Sequence, residues 1–198
     1  HLGAGDTGIF PHTPEPTREN LGQLCKSVVD RHAHVGFAQD PDADRLAIID
    51  ENGKYIGEEY TLVLAAMALA EFGVLKAGST IVVNLSTSRM IEDVAAKFGA
   101  RVVRSAVGEA NVVEVMKKLG PEACPLGGEG NGGVIWPRVT YVRDSLSGMA
   151  LVLALMAKTG KTVSQLIAGV PSYAIVKRKV DLKDRSEAQR AGDAVKGA

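Results

Sequence analysis

The sequence predicts an α/β layered fold. Short apolar, β-branched runs alternate with helical patterns between residues 34 and 136, as they do where helices cover a sheet. Hydrophobic residues make up 45% of the 198-residue chain, which allows a sizeable core. The 22 glycines indicate many tight turns, and several stand where a predicted helix ends.

The first fifty residues contain a loop, a helix and two strands. Residues 1–16 are predicted to be a loop because glycine and proline recur through them. A helix is expected from Thr17, a suitable N-cap, to about Asp30, with its leucines and valines on one stripe. Apolar runs at 34–38 and 46–50 predict two strands joined by a short acidic connection.

Helices and strands alternate in the remainder of the chain. Helical periodicity predicts five further helices, at 60–72, 88–98, 110–119, 145–158 and 162–168. Apolar runs, mostly β-branched, predict three further strands, at 80–84, 101–104 and 134–136. Residues 172–180 alternate between polar and apolar, as an edge strand or a linker does.

Composition argues against several classes of partner. Basic and acidic residues number 23 each, so no broad electrostatic field favours nucleic acid or an anionic membrane. The longest apolar stretch, Met149 to Ala157, is far shorter than the roughly 18 residues of a membrane helix. Cys25 and Cys124 fit neither a disulfide framework nor a zinc cluster. We therefore expect free thiols in a reducing cytoplasm.

The most informative stretch is a run of three carboxylates at alternate positions, Asp40, Asp42 and Asp44, followed directly by Arg45. The run lies at the carboxyl end of a predicted strand, where open α/β sheets place their ligands. Three carboxylate oxygens suit a hard divalent cation such as Mg²⁺, which keeps its other positions for water or phosphate. The planar arginine side chain suits that phosphate. The alternative is a solvated acidic turn.

A calcium loop must also be considered. The three aspartates and Glu51 match positions 1, 3, 5 and 12 of an EF-hand. The sixth position of that loop requires glycine for its sharp turn, but here it is Arg45. An apolar strand pattern also replaces the helix that should precede the loop. A structural calcium protein is therefore kept only as a third hypothesis.

A second unusual segment runs from Gly127 to Gly133, where five glycines surround Glu129 and Asn131. Glycine lets backbone approach a ligand closely. Glutamate accepts hydroxyl hydrogen bonds, and asparagine both donates and accepts them, so the pair suits a polyhydroxyl sugar. The segment lacks the Lys-Ser/Thr of a P-loop and the spacing of a dinucleotide fingerprint. The alternative is a glycine-rich hairpin turn with incidental polar residues.

Together these motifs resemble those of the α-D-phosphohexomutase family, which includes phosphoglucomutase, phosphomannomutase and phosphoglucosamine mutase. Residues 6–11 with 14–16 resemble the family's D-G-x-F-P and P-E-P segment. Asp40 to Arg45 resembles its D-G-D-G-D-R magnesium loop. Residues 128–132 resemble its sugar-binding G-E-x-S-G loop, and Arg143 with Asp144 falls where the family often has an R-D-G helix start.

The resemblance implies an isomerase that transfers a phosphoryl group between C1 and C6 of a hexose phosphate. An enzyme phosphoserine and a bisphosphorylated sugar carry the group. By this resemblance Asp40, Asp42 and Asp44 would be the Mg²⁺ ligands, and Arg45 would be a catalytic residue that holds the phosphate. The substrate would be glucose, mannose or glucosamine phosphate, and the sequence does not distinguish among them.

On the sugar side, the resemblance makes Glu129 and Asn131 substrate-binding residues. Glu109 lies in a segment that resembles a loop near the sugar, and is a further candidate for hydroxyl binding or proton transfer. Its alternative role is an acid at a helix N-terminus. Three departures matter: Pro41 replaces a glycine of the metal loop, Asn131 stands where many members have serine, and Gly133 stands where many bacterial members have histidine. The acid–base residue is thus left open.

By resemblance, residues 1–55 form the end of domain two, 56–171 form domain three and 172–198 lead toward domain four. This is one partial and one complete mixed-sheet phosphohexomutase-type domain. The chain contains neither the family's T-A-S-H-N-P serine loop nor its R-x-S-G-T-E-P phosphate loop. We therefore expect domains one and four to lie outside this sequence, and the 198 residues alone to be inactive. The alternative is a non-catalytic module of the same fold that binds a divalent cation or a sugar phosphate.

Overall fold

The computed structural model describes most of the chain, namely residues 1–3, 5, 8–10, 12–173, 187, 190, 192 and 193. Asp6, Thr7 and Pro11 of the N-terminal motif lie outside the described residues. So does almost all of the segment predicted to be an edge strand or linker, beyond Tyr173.

The N-terminal part is a helix packed on a two-stranded hairpin. Helix α1 (Gly22–Asp30) precedes strands β1 (Gly36–Gln39) and β2 (Leu46–Ile49), which pair in antiparallel register. The predicted helix start is wrong, because the Thr17 carbonyl closes a turn with the Asn20 amide at 3.1 Å. The chain turns there before α1 begins, so Thr17 does not cap the helix.

A four-stranded mixed sheet forms the centre of the larger part. Strands β3 (Thr80–Asn84), β4 (Arg101–Ser105), β5 (Leu126–Glu129) and β6 (Gly133–Ile135) lie in the order β4-β3-β5-β6. Strand β3 is parallel to β4 and β5, and β6 returns antiparallel to β5. The carboxyl ends of β3 and β5 therefore lie side by side at one edge of the sheet.

Helices cover both faces of this sheet. They are α2 (Glu59–Glu71), α3 (Met90–Lys97), α4 (Glu109–Leu119), α5 (Ser145–Thr159) and α6 (Val163–Ile167). Because side chains alternate along a strand, Ile81 and Val83 pack with α2, α3 and α5, and Val82 packs with α4. The predicted α/β fold with a layered mixed sheet is confirmed.

Strand β2 joins the hairpin to the larger core. Leu46 and Ile48 belong to the large apolar cluster, whereas Ala47 and Ile49 pack against α1. The hydroxyl of Thr61 on α2 donates to the Leu46 carbonyl at 2.7 Å. These contacts fix the acidic connection before β2 against the larger part of the protein.

The predicted glycine loop is partly strand. Strand β5 contains Gly127 and Gly128, and the antiparallel pairing of Glu129 with Gly133 makes the segment a hairpin. A Cβ on Gly127 would lie 2.2 Å from the Met116 sulfur, which explains why a strand-favouring side chain is absent here. The hairpin alternative is thus correct for the backbone.

Two helix starts agree with the sequence. The Asp144 carboxylate accepts hydrogen bonds from the amides of Leu146 and Ser147 and so caps α5. Thr162 and Gln165 form a capping box at α6. Among the helices of the described residues, none combines the length and the apolar character needed to cross a membrane.

Candidate active site

The three aspartates converge in the connection between β1 and β2. One carboxylate oxygen from each of Asp40, Asp42 and Asp44 lies within 4.8 Å of the others. The Asp40 carbonyl accepts from the Ala43 amide at 3.0 Å, and Ala43 has a positive φ of 57°. This tight turn brings the alternate side chains to one place. The structure thus groups the carboxylates that the sequence predicts as metal ligands.

Arg45 binds the buried member of this group. Its amide and Nε donate to the two carboxylate oxygens of Asp40, at 3.0 and 2.6 Å. Its terminal nitrogens donate to the Glu15 carboxylate at 2.5 and 3.3 Å. Burial would raise the pKa of Asp40, but the hydrogen bonds from Arg45 outweigh it and hold that pKa below its usual value. Arg45 therefore orients Asp40.

Asp44 is in a different environment. Burial raises its pKa to about 6, and the neighbouring charges of Asp40 and Asp42 act in the same direction, whereas Arg143 opposes them. One Asp44 oxygen accepts a hydrogen bond from Nη2 of Arg143. Burial and, to a smaller extent, the neighbouring carboxylates thus disfavour the charge on Asp44, and a bound cation would favour it.

Arg143 is the residue that sequence reasoning underestimated, since it entered only as part of a motif match. Besides Asp44, its guanidinium donates through Nη1 to Glu129 and through Nε to Glu109 at 2.9 Å. Its backbone amide also donates to Glu109, at 3.1 Å. Three carboxylates from separate parts of the chain therefore meet at one side chain.

Glu129 ends strand β5 and is nearly enclosed, with its side chain 6% exposed. Its Oε1 accepts from Nδ2 of Asn84 at 2.7 Å, and its Oε2 accepts from Arg143 and from Nδ2 of Asn131 at 3.3 Å. The Asn131 Oδ1 accepts from the Gly133 amide at 3.2 Å. The two predicted sugar-binding side chains are thus neighbours, and protein donors hold both.

Asn84 and Thr87 were not predicted as site residues. Asn84 ends β3, and the Thr87 hydroxyl donates to its Oδ1 at 2.8 Å while accepting from the Gly130 amide at 3.1 Å. The available signal was a polar residue at the carboxyl end of a buried, β-branched strand. Arg104 supports this segment by donating to the Thr87 carbonyl at 2.7 Å.

Two further sequence interpretations need correction or refinement. Glu109 is the first residue of α4, as its alternative role required, but its carboxylate binds Arg143. The EF-hand is wrong, because strands flank the acidic connection and Glu51 binds elsewhere. The Glu51 carboxylate accepts from the amide of Ser164 at 3.3 Å and from its hydroxyl.

Comparison with known proteins identifies the family. Residues 57–173 match the sequence profile "Phosphoglucomutase/phosphomannomutase, alpha/beta/alpha domain III", and residues 3–53 match the profile of domain II. The chain belongs to this family. The resemblance to the α-D-phosphohexomutases is thereby confirmed, and members of this family are isomerases.

Individual relatives agree with this family. The chain is 35% identical over 184 residues to a protein named as a probable phosphoglucosamine mutase of Methanopyrus kandleri, covering 92% of this chain and 39% of that protein. It is 38% identical over 180 residues to a phosphoglucomutase/phosphomannomutase of Thermococcus kodakarensis, covering 90% and 38%. The chain therefore spans less than half the length of these phosphohexomutases.

A solved structure has the same fold. A phosphoglucomutase/phosphomannomutase family protein from Burkholderia thailandensis superimposes with a TM-score of 0.66 at 25% identity. The match covers 82% of this chain and 34% of that one. This chain therefore has the fold of the corresponding part of a phosphohexomutase family protein.

Proposed function

We propose that this chain carries the Mg²⁺-binding and sugar-binding loops of a phosphohexomutase. The reaction would move a phosphoryl group between C1 and C6 of a hexose phosphate, through an enzyme phosphoserine and a bisphosphorylated sugar. The observation that carries the proposal is that Asp44, from the acidic connection, and Glu129, from the glycine-rich hairpin, accept hydrogen bonds from the same guanidinium. Both predicted loops therefore face one site.

The charges of the site support a divalent cation. Two guanidinium groups, those of Arg45 and Arg143, contact most of a set of six carboxylates: Glu15, Asp40, Asp42, Asp44, Glu109 and Glu129. The carboxylates outnumber the cations, and three of them converge. Aspartate oxygens are the ligands that Mg²⁺ prefers, and Mg²⁺ retains waters or phosphate at its remaining positions. Bound there, the ion would polarise the transferring phosphoryl group and neutralise developing charge.

Different side chains would bind the phosphate and the sugar of the substrate. Arg45 uses one N–H of each terminal nitrogen on Glu15, so a second N–H on each can bind a phosphate. Glu129 and Asn131 would bind sugar hydroxyls. The Asn131–Glu129 bond is the longest of those that Glu129 accepts, at 3.3 Å, so we expect a sugar hydroxyl to replace this contact first.

The substrate is proposed at the level of hexose or hexosamine phosphate. The relatives named above are a phosphoglucosamine mutase and a phosphoglucomutase/phosphomannomutase, and their names favour these sugars without choosing among them. We propose that the phosphoserine and a further phosphate-binding loop come from segments outside these 198 residues. We also propose that the protein is cytoplasmic.

Isothermal titration of the 198-residue chain with Mg²⁺ tests the cation site. Asp42→Asn is the best variant because Asp42 is exposed, so the change removes a carboxylate charge without burying a polar group. We expect the dissociation constant for Mg²⁺ to rise at least about tenfold, since one of three carboxylates is lost. Asp30→Asn, at the exposed end of α1, is the matched control. Equal Mg²⁺ affinity in wild type and Asp42→Asn would refute the proposal.

A further inference from the structure

The Arg143 side chain is held at the junction of three segments. Its three guanidinium nitrogens donate to Asp44 in the β1–β2 connection, Glu109 at the start of α4 and Glu129 at the end of β5. Its side chain is 18% exposed. An arginine can bind three carboxylates at once because its N–H groups point outward from a rigid plane, whereas the lysine ammonium is a compact point charge.

The backbone on either side of Arg143 is also fixed. The Arg143 amide donates to the Glu109 carboxylate, and the Asp144 amide donates to the Val134 carbonyl at 2.8 Å. Gly133 leaves the space that the side chain occupies, since a Cβ there would lie 2.3 Å from Cδ of Arg143. The absence of a side chain at Gly133 thus makes room for the Arg143 side chain, and the two amide hydrogen bonds anchor its backbone.

We propose that Arg143 is a positioning residue that orients Asp44 for the divalent cation and holds the sugar-binding Glu129 in register with it. This inference rests on the proposed function. Arg143 binds Oδ2 of Asp44, while Oδ1 lies 3.5 Å from Nε of Arg45, within ion-pair distance, and keeps lone pairs for a metal. The same guanidinium fixes Glu129, so the cation and the sugar hydroxyls are held at a set separation. Hydrogen bonds that orient metal-ligating carboxylates have this effect in other metal sites.

A purely electrostatic role would give a different result. Arg143 carries a positive charge next to a cation site, so its charge alone repels Mg²⁺. If charge were the whole effect, Arg143→Lys would bind Mg²⁺ as wild type does and Arg143→Met would bind it more tightly. If orientation dominates, both variants bind Mg²⁺ more weakly, because neither can hold Asp44 and Glu129 together.

The test is isothermal titration with Mg²⁺ of the 198-residue wild type, Arg143→Lys, Arg143→Met and Arg101→Lys. Arg101 donates from Nε to the Thr80 hydroxyl at 3.0 Å, on the start of β4, and serves as the matched control. We expect Arg143→Lys to weaken Mg²⁺ binding about tenfold or more, and Arg101→Lys to stay within about twofold. Wild-type affinity in Arg143→Lys, or tighter binding in Arg143→Met, would overturn the inference.

A second measurement does not depend on the variants folding. In the wild-type chain labelled with ¹⁵N, the Nε–H resonance of Arg143 should stay resolved and protected from exchange when Mg²⁺ is added. Loss of that resonance on Mg²⁺ binding would mean that the guanidinium is released, and would overturn the inference while leaving the metal site intact. Absence of any Mg²⁺ binding by wild type would overturn the proposed function and this inference together.

Discussion

The amide of Leu46 donates a hydrogen bond to the carbonyl of Gly132 at 3.1 Å. This bond joins the first residue of β2 to the tip of the β5–β6 hairpin, so the acidic connection and the glycine-rich hairpin touch through their backbones. Together with Arg143, it gives the site two independent links between its halves. A backbone hydrogen bond and the Arg143 side chain therefore both join the acidic connection to the glycine-rich hairpin.

Gly132→Ala should be strongly destabilising. Gly132 has a φ of +92°, and an added Cβ would lie 2.6 Å from the Leu46 carbonyl oxygen. The strained φ of alanine and the clash of its Cβ with the Leu46 carbonyl should lower the free energy of unfolding by about 2–4 kcal/mol. Urea denaturation measures this. Gly73→Ala is the control, because it has a φ of +69° with no atom near the new Cβ, and should cost only about 1 kcal/mol. Equal losses of unfolding free energy in Gly132→Ala and Gly73→Ala would show that the close contact between Gly132 and Leu46 does not matter for stability.

Asn84→Ala should destabilise the protein by about 2–3 kcal/mol. Asn84 is 2% exposed, and its loss leaves Oε1 of Glu129 and the Thr87 hydroxyl without their present partner. An unsatisfied buried polar group has a cost of this size. Thermal unfolding measures the change against Asn52→Ala in an exposed turn. A melting temperature equal to that of the control would show that water replaces Asn84 without penalty.

Glu51 should make stability depend on pH. Burial would raise its pKa, but hydrogen bonds from Ser164 and Thr162 outweigh burial and lower the pKa to about 2, from 4.5. Because the folded pKa is depressed, this stabilisation is complete above about pH 4.5 and is lost as pH falls toward 2. We expect Glu51→Gln to lose about 1 kcal/mol of unfolding free energy at pH 7.

Denaturant unfolding of Glu51→Gln across pH 2–7 provides the measurement for this prediction. The difference from wild type should shrink steadily as the solution becomes more acidic. Glu71→Gln, an exposed position at the end of α2, should show no comparable pH-dependent difference. A constant deficit for Glu51→Gln at every pH would mean that its effect is not electrostatic.

The purified 198-residue chain should have no mutase turnover. It carries the proposed metal and sugar loops, but a phosphoryl donor of the family's serine-loop type is absent from its sequence. The assay supplies Mg²⁺, glucose 1,6-bisphosphate and the 1-phosphates of glucose, mannose and glucosamine in turn. Turnover that disappears in Asp42→Asn would come from the chain itself and not from a contaminant, and would contradict this prediction.

Much of the fold could be predicted because it is encoded locally. The apolar run from Thr80 to Asn84 predicts a strand, and the structure buries that strand on both faces. Likewise, Gly120 predicts the end of α4, and the helix ends there. Strand β5 could not be recognised from propensity. Its Gly127 is favoured by the nearness of Met116 on α4, a contact that no local pattern reveals.

The candidate site, too, could be predicted from the sequence only in part. The sequence by itself determined that three carboxylates and an arginine would share one tight connection, because alternate positions in a short turn cannot move far apart. Only the tertiary structure decided that Asp44 and Glu129 would meet at Arg143, and that Asn84 would reach Glu129 from the neighbouring strand. Residues far apart in the chain meet only when the sheet order and the helix packing are set, and neither leaves a periodic signal in the sequence.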